Sequence, residues 1–301
     1  MLHTHTTPAS RRSLFREQLA SGRLLRIPGA INPYSARLIQ EAGFDAAYLS
    51  GAVLAADLGL PDIGLTTSTE VAARAQQVTR VTDLPVLVDA DTGFGEPMNA
   101  ARTVQLMEDA GLAGLHLEDQ ISPKRCGHLD GKTVVPAEDM ARRLRAAADA
   151  RRDPDFLLMA RTDARSVEGI GAAIDRAKAY VDAGADAIFP EALADEAEFE
   201  AFRKAVDVPL LANMTEFGKS RLLDAATLQN LGYNIALYPV TLFRLAMGAV
   251  EDGLRILAAE GTQESLLPRM QTRSRLYEVL GYEDYSTFDS AVSDFTLPPG
   301  N

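Results

Sequence analysis

Asp109-Ala-Gly-Leu-Ala-Gly-Leu-His-Leu-Glu118 reads as a helix end, a glycine stop and a short apolar strand tipped by a carboxylate. The glycine suits the left-handed residue that closes a helix. The strand is apolar at almost every position, as a strand covered on both faces of a parallel sheet must be. The same order of residues returns in Glu41-Ala-Gly-Phe-Asp-Ala-Ala-Tyr-Leu-Ser50 and Asp182-Ala-Gly-Ala-Asp-Ala-Ile-Phe-Pro-Glu191. A looser copy is Asn230-Leu-Gly-Tyr-Asn-Ile-Ala-Leu-Tyr238. In the first three, the residue seven past the glycine is polar: Ser50, Glu118 and Glu191.

Three further strands enter through a proline, in Leu84–Asp89, Pro154–Arg161 and Val208–Asn213, and Leu25–Ala30 makes eight. Helical patterns separate them: Ser10–Ala20, Ser35–Ala42, Thr67–Thr82, Asn99–Ala110, Ala137–Ala150, Val167–Ala183, Glu196–Val206 and Leu222–Leu231. Ser10 or Ser13 is available to cap the first, and Thr67-Ser-Thr-Glu70 is a capping box. In Val167–Ala183, Ile170, Ala173, Ile174, Ala177 and Val181 share one face, the spacing of a helix packed on a sheet. Eight alternating strands and helices predict an α/β fold, a closed (β/α)8 TIM-type barrel. No Gly-x-Gly-x-x-Gly follows a strand to favour an open, doubly wound sheet. Residues 1–301 read as one barrel domain, with an arm and helix over 1–24 and extra C-terminal helices over about 241–301. Those helices are Thr241–Glu260 and Leu267–Leu280, the second with Pro268 in its first turn, followed by a loose tail from Gly281. They exceed what a lone barrel requires and suit packing on a neighbouring subunit.

A chain of 301 residues, 47% hydrophobic, can bury a large core. Its formal charge of -12 argues against nucleic acid or an anionic membrane as partner. No apolar run is long enough to span a bilayer, and the N-terminus lacks the basic-then-apolar order of a signal peptide. A single cysteine makes no intramolecular disulfide, which suits a reducing cytoplasm.

The polar residues gather at the expected strand tips: Ser50, Asp89 with Asp91, Glu118 with Asp119, Arg161, Glu191, Asn213 with Thr215, and Tyr238. In this fold the C-terminal rim carries the chemistry. Val88-Asp-Ala-Asp-Thr-Gly-Phe-Gly95 sets two carboxylates on one side at period two, and with Glu118 they offer an oxygen-only site for a hard cation, Mg²⁺ or in its place Mn²⁺. Arg161 reads as a bidentate clamp for a carboxylate or as a bridge to Glu191. Ser50-Gly51-Ala52 offers a hydroxyl and backbone N–H groups to an anion. His116, mid-strand, reads as a core histidine. The loop Pro123-Lys-Arg-Cys-Gly-His128 holds the only cysteine, and Lys124, Arg125 and His128 beside Cys126 predict a depressed thiol pKa and proton exchange near neutral pH.

Six motifs together carry a family resemblance: Tyr48-Leu-Ser-Gly51, Gly59-Leu-Pro-Asp62, Val88–Gly95, His116-Leu-Glu-Asp-Gln120, Lys124-Arg-Cys-Gly-His128 and Leu211-Ala-Asn-Met-Thr-Glu-Phe-Gly218. From about Ser10 to Tyr285 the chain resembles the isocitrate lyase / phosphoenolpyruvate mutase superfamily, and within it the methylisocitrate lyases, for which arginine second in the cysteine motif is typical. The resemblance implies a Mg²⁺-dependent cleavage of a tricarboxylate, 2-methylisocitrate, to pyruvate and succinate in propionate catabolism, with isocitrate, dimethylmalate or oxaloacetate as alternatives. It implies that Asp89 binds the metal directly, with Asp62, Asp91 and Glu118 helping through water. Cys126, Tyr48, Lys124 and His128 become the implied catalytic set. Ser50, Gly51, Ala52, Arg125, Gly127, Arg161, Glu191, Asn213 and Thr215 are implied to line the substrate site, with Phe189 and Leu237 accepting the extra methyl. A homotetramer with exchanged C-terminal helices is implied too.

Overall fold

The structure is a computed structural model that describes residues 4–129 and 131–297; the extreme ends of the expected arm and tail lie outside the described residues. The chain divides into two compact units, one of Thr6–Arg244 and one of Met1–His5 with Leu245–Asn301.

The first unit alternates strand and helix. It runs α1 (Pro8–Ala20), β1 (Leu25–Pro28), α2 (Pro33–Glu41), β2 (Ala47–Leu49), α3 (Gly51–Asp57), α4 (Ser68–Thr79), β3 (Val86–Asp89), α5 (Pro97–Asp109) and β4 (Gly114–Glu118). It continues with α6 (Ala137–Ala150), β5 (Leu157–Thr162), α7 (Arg165–Glu168), α8 (Ile170–Asp182), β6 (Ala187–Pro190), α9 (Glu196–Ala205), β7 (Leu211–Asn213), α10 (Ala225–Asn230) and β8 (Ile235–Tyr238). All pairing is parallel: β2 to β6 in sequence order, and β7-β8-β1. Single parallel bridges, Gly29 to Tyr48 and Ile188 to Leu210, join the two runs. This is the TIM-barrel type of α/β fold.

Period two along the strands sorts side chains into two layers. Leu25, Ile27, Tyr48, Leu87, Leu157, Met159, Phe189, Leu211, Ile235 and Leu237 share one cluster inside the ring of strands. Their neighbours in sequence, such as Leu49, Val88, Leu158, Ile188, Ala212 and Ala236, pack outward against the helices. Phe15 and Leu19 of α1 belong to the inner cluster, so α1 closes the barrel end from which the strands start. Truncating Phe15, which is fully buried, would cost about 3–5 kcal/mol.

Several boundaries differ from expectation, each for a local reason. The cap of α1 is Thr7, whose side chain accepts from the Ser10 N–H while Ser10 returns the bond, so Ser10 is the third helical residue. The single helix expected over Val167–Ala183 is two, α7 and α8, parted by Gly169 at φ 91. Arg176 and Tyr180 join its buried face, which the apolar pattern did not include. A short helix not foreseen, α3, starts right after β2, with Ser50 as its cap.

Helix α11 (Thr241–Glu260) begins in the first unit and continues into the second. There the structure corrects two expectations. Pro268 sits inside a 3-10 turn, Glu264–Arg269, and α12 (Arg273–Leu280) starts only after it, capped by Thr272. The stretch from Gly281 is not a loose tail, because α13 (Tyr282–Ser293) follows a left-handed Gly281 at φ 68. None of the residues of α11 or α13 is buried.

Candidate active site

The strand parity that builds the barrel core also selects the site. Tyr48, Asp89, Glu118, Arg161, Asn213 and Leu237 occupy interior positions at or near the C-terminal ends of their strands, and Glu191 follows β6 with the same parity. The register sets Glu118 beside Arg161 and Asn213 beside Leu237. A cavity opens at this end. Asp62, Asp89 and Lys124 form one side of it, with Tyr48, Ser50 and Ala52. Cys126, Gly127 and His128 form a second side, and Arg161, Glu191, Asn213 and Thr215 a third; Phe189 and Leu237 supply apolar wall. Pro239, Val240 and Arg244 complete the lining. Those three escaped the sequence reading, although they lie just past β8, where rim logic would have found them.

Four expected residues fall elsewhere. Asp119 has outward parity: it accepts from Thr162 Oγ1 and Tyr180 OH, both at 2.8 Å, on the helix side of the sheet. Tyr238 also faces outward, into a separate apolar cleft with Phe44 and Leu38. Arg125 is exposed and folds back on the carbonyls of Pro123 and Lys124, at 3.5 and 3.3 Å, so it is not part of the cavity. Gly51 is buried outside the cavity lining, donating its N–H to Asp89 Oδ2 at 3.3 Å.

The acidic side is crowded. Asp91 does not continue the strand at period two, as the sequence suggested: β3 ends at Asp89, and Asp91 adopts φ 46 and donates its N–H to Asp89 Oδ1 at 3.0 Å. Lys124 bridges Asp62 and Asp91 Oδ1, the latter at 2.9 Å. Burial raises the Asp91 carboxyl, with Asp89 adding to the rise, to about 6. Burial opposes ionisation of Asp89 as well, but neighbouring cationic groups including Lys124 and Arg161 outweigh it, and Asp89 is lowered. Glu118 is fully buried, and burial pushes it well above the usual carboxylate range in spite of Arg161 at 3.3 Å. Neither Glu118 oxygen has a hydrogen-bond partner.

These orphaned oxygens test the fit of a metal. Among the described residues, no three His, Cys, Asp or Glu side chains converge to enclose an ion by themselves. An ion held by one carboxylate, with water filling the remaining positions, needs no such cluster, and its waters would satisfy Glu118. The donor set is all oxygen. It fits a hydrated hard cation at Asp89, with Asp91, Asp62 and Glu118 around it.

On the opposite side an arginine and a histidine meet buried carboxylates. Arg161 Nη2 meets Glu191 Oε2 at 3.2 Å, and its Nε meets Asp163 Oδ2 at 3.0 Å. His128 Nε2 lies 2.9 Å from Glu191 Oε1, and its Nδ1 accepts from the Lys219 N–H at 2.9 Å. Burial works against the Glu191 charge, but Arg161 and His128 hold its carboxyl far below the usual range.

Two predicted chemical roles change. Burial pushes the Cys126 thiol up, not down; only the His128 N–H and Arg161 favour its thiolate. Lys124 is turned away onto the carboxylates, Arg125 onto its own loop and the His128 ring onto Glu191. Tyr48 is buried with its hydroxyl 2.8 Å from His116 Nε2, and burial followed by Asp89 raises it well above an ordinary phenol. His116 is thus in the core, as read, but carries a site hydroxyl; burial lowers it to about 4, so the ring is neutral.

Comparison with known proteins adds four findings. The family model for phosphoenolpyruvate phosphomutase matches residues 15–258. A Corynebacterium glutamicum protein named probable 2-methylisocitrate lyase 1 is 64% identical over 291 residues, which cover 96% of this chain and 95% of that one. Among solved structures, an oxaloacetate acetylhydrolase in complex with 3,3-difluorooxalacetate superposes with a TM-score of 0.90 at 33% identity, covering 97% of this chain and 100% of that one. A phosphonopyruvate hydrolase in complex with oxalate and Mg²⁺ superposes with a TM-score of 0.85 at 28% identity, covering 95% and 99%.

Proposed function

The chain belongs to the phosphoenolpyruvate phosphomutase family, and from that premise we propose that it is a Mg²⁺-dependent carbon–carbon lyase that cleaves 2-methylisocitrate to pyruvate and succinate. The observation that carries the reading is a half-buried thiol on the wall of a cavity that has a carboxylate cluster on one side and Arg161 on the other.

A bound Mg²⁺ would favour ionisation of the substrate hydroxyl and hold its carboxylate. Asp89 would hold the ion, with Asp62, Asp91 and Glu118 around it. Lys124 balances this acidic group, so its charge serves the site and not the thiol. Arg161, His128, Asn213 and Thr215 bind the carboxylates that leave as succinate. Ser50 and Ala52 bind the ketoacid half, and Phe189 with Leu237 encloses its methyl. A carboxylate of the acidic cluster takes the hydroxyl proton, the C–O bond becomes the carbonyl of pyruvate as the C–C bond breaks, and the electrons of that bond pass to the succinate carbon. Cys126 Sγ then delivers a proton to that carbon, work that calls for a thiol and not a thiolate at rest. Tyr48 fits a hydrogen-bonding role better than that of the base, because its phenolate is so strongly disfavoured.

The protein also fits a cytoplasmic homotetramer. The long helix α11 leaves Leu245, Val250, Leu254 and Leu257 exposed, and the barrel unit carries an apolar cleft of about 580 Å³ beside Phe44 and Tyr238. Helices exchanged between copies of the chain would cover such surfaces. No described helix is long and apolar enough to cross a membrane.

The test is pyruvate release from 2-methylisocitrate beside glyoxylate release from isocitrate, each with Mg²⁺ and with EDTA. Metal-dependent pyruvate formation is expected. A preference for isocitrate moves the assignment to the sister reaction, and turnover of neither overturns it.

A further inference from the structure

Lys132 lies in the loop between β4 and α6, outside every motif that drew attention to the site. Its side chain is 2% exposed, a rare position for an ammonium unless it is paired. Its Nζ donates to the carbonyl oxygen of Gly127, the residue after Cys126, and to Asp163 Oδ1 at 2.9 Å. Asp163 is fully buried and is already held on the strand side: Arg161 donates to both its oxygens, at 3.0 and 3.2 Å, and its own N–H reaches Asp119 Oδ1 at 2.8 Å. One ammonium therefore ties the peptide after the acid to the carboxylate that orients the substrate clamp. The fit at that contact is tight, since a Cβ on Gly127 would stand 2.6 Å from Glu191 Cγ.

We propose that Lys132 is a positioning residue, the latch that holds the Cys126 turn against Arg161 and Asp163 with the thiol facing the cavity. Its other ties leave this task undone. The pairs Gln120 to Arg125 and Ile121 to Thr133 fasten the base of the loop, at 2.8 to 3.0 Å, and Lys124 ties the residues before Cys126 to Asp62 and Asp91; on the other side of Cys126, among the described residues, the Lys132 ammonium and the His128 ring fasten the turn to the barrel. Breaking the latch leaves Asp163 with Arg161 and frees the turn. A displacement of one ångström at the reacting atom costs about 100-fold in rate.

The proposal rests on the lyase reading for its kinetic arm and its succinate control; the alkylation rate without succinate stands apart from it. Full-length Lys132→Met, Lys132→Gln and Lys132→Arg are compared with wild type in turnover of 2-methylisocitrate and in the rate of Cys126 alkylation by iodoacetamide, with and without succinate. Expected for Met and Gln is a fall in kcat of about 100-fold with a smaller change in KM. Their alkylation is expected to be faster, with little protection by succinate, and Arg is expected to restore both. Gln carries the test if Met does not fold. Wild-type alkylation rates and protection in a folded Met or Gln variant overturn the latch, as does a lowered Tm with unchanged kinetics. An inactive wild type with the expected alkylation pattern counts against the substrate, not against the latch.

Discussion

The two ends of the barrel handle buried charge in opposite ways. At the end closed by α1, arginines saturate backbone carbonyls. Arg12 donates to Leu112 O, Glu108 O and Asp153 Oδ2 at 2.7 to 2.9 Å, and Arg16 to Asp155 O, Phe156 O and Asp186 Oδ2 at 2.8 to 3.1 Å. Arg11 joins Thr79 O and Thr82 O at 2.7 Å, with only its Nε left over. At the other end, Glu118 Oε1 and Oε2 and Asn213 Oδ1 are buried without a hydrogen-bond partner, Glu118 having only the ion pair with Arg161. A buried polar atom with no partner costs about 1–3 kcal/mol. One end contributes stability, while the other bears that cost and leaves groups ready for a ligand.

Substitutions at the two ends should therefore fail differently. The largest effect belongs to Cys126→Ser, which keeps the shape and removes the acid. Turnover should fall by roughly 10² to 10⁴-fold, the usual contribution of a positioned proton donor, with Tm close to wild type. A variant that retains a tenth of the activity would exclude Cys126 as the acid. Arg12→Ala does the reverse. It strands two carbonyls and Asp153, and should lower stability by about 3 kcal/mol in urea titration while kcat of the folded fraction holds. Loss of kcat without loss of stability would erase the distinction between the ends.

Glu118→Gln sharpens the contrast because it should move stability and function in opposite directions. A carboxyl whose folded pKa is raised contributes stability only below its unfolded pKa, and that contribution is lost as pH rises through the folded value. At neutral pH the Glu118 charge is thus a net cost to the fold, and the neutral amide should raise Tm in metal-free protein. The same change removes an anionic acceptor for ion-bound water, so Mg²⁺ affinity by calorimetry should drop about 10–100-fold. A lowered Tm would mean that the pairing with Arg161 outweighs burial.

The sequence made most of this architecture legible because strand parity and glycine stops are local. The eight strands and the interior positions of Asp89, Glu118, Arg161 and Asn213 follow from period two. The same parity, applied strictly, would have sent Asp119 and Tyr238 outward. What stayed hidden depends on contacts distant in the chain. Lys132 acquires meaning only when Gly127 and Asp163 surround it. Asp91 turns inward through a positive φ, which aspartate tolerates but the strand pattern does not signal. Gly169 splits a helix that its apolar pattern runs straight through.

The smallest effect separates adjacency in sequence from adjacency in space. Lys124 and Arg125 precede Cys126 in the chain and should depress its pKa if both stayed beside the sulfur. In the fold, Lys124 is spent on Asp62 and Asp91, and Arg125 on loop carbonyls, so burial decides the outcome and raises the thiol. Alkylation of the resting enzyme, followed against pH, should rise with a midpoint above the ordinary thiol value of about 8.5. The thiol then stays protonated through neutral pH, and the alkaline limb of kcat should not begin until the pH approaches that raised value. A midpoint below the ordinary value would mean that the cations reach the sulfur after all. It would also place Cys126 as a thiolate at neutral pH, a species that accepts a proton where the reaction needs one delivered.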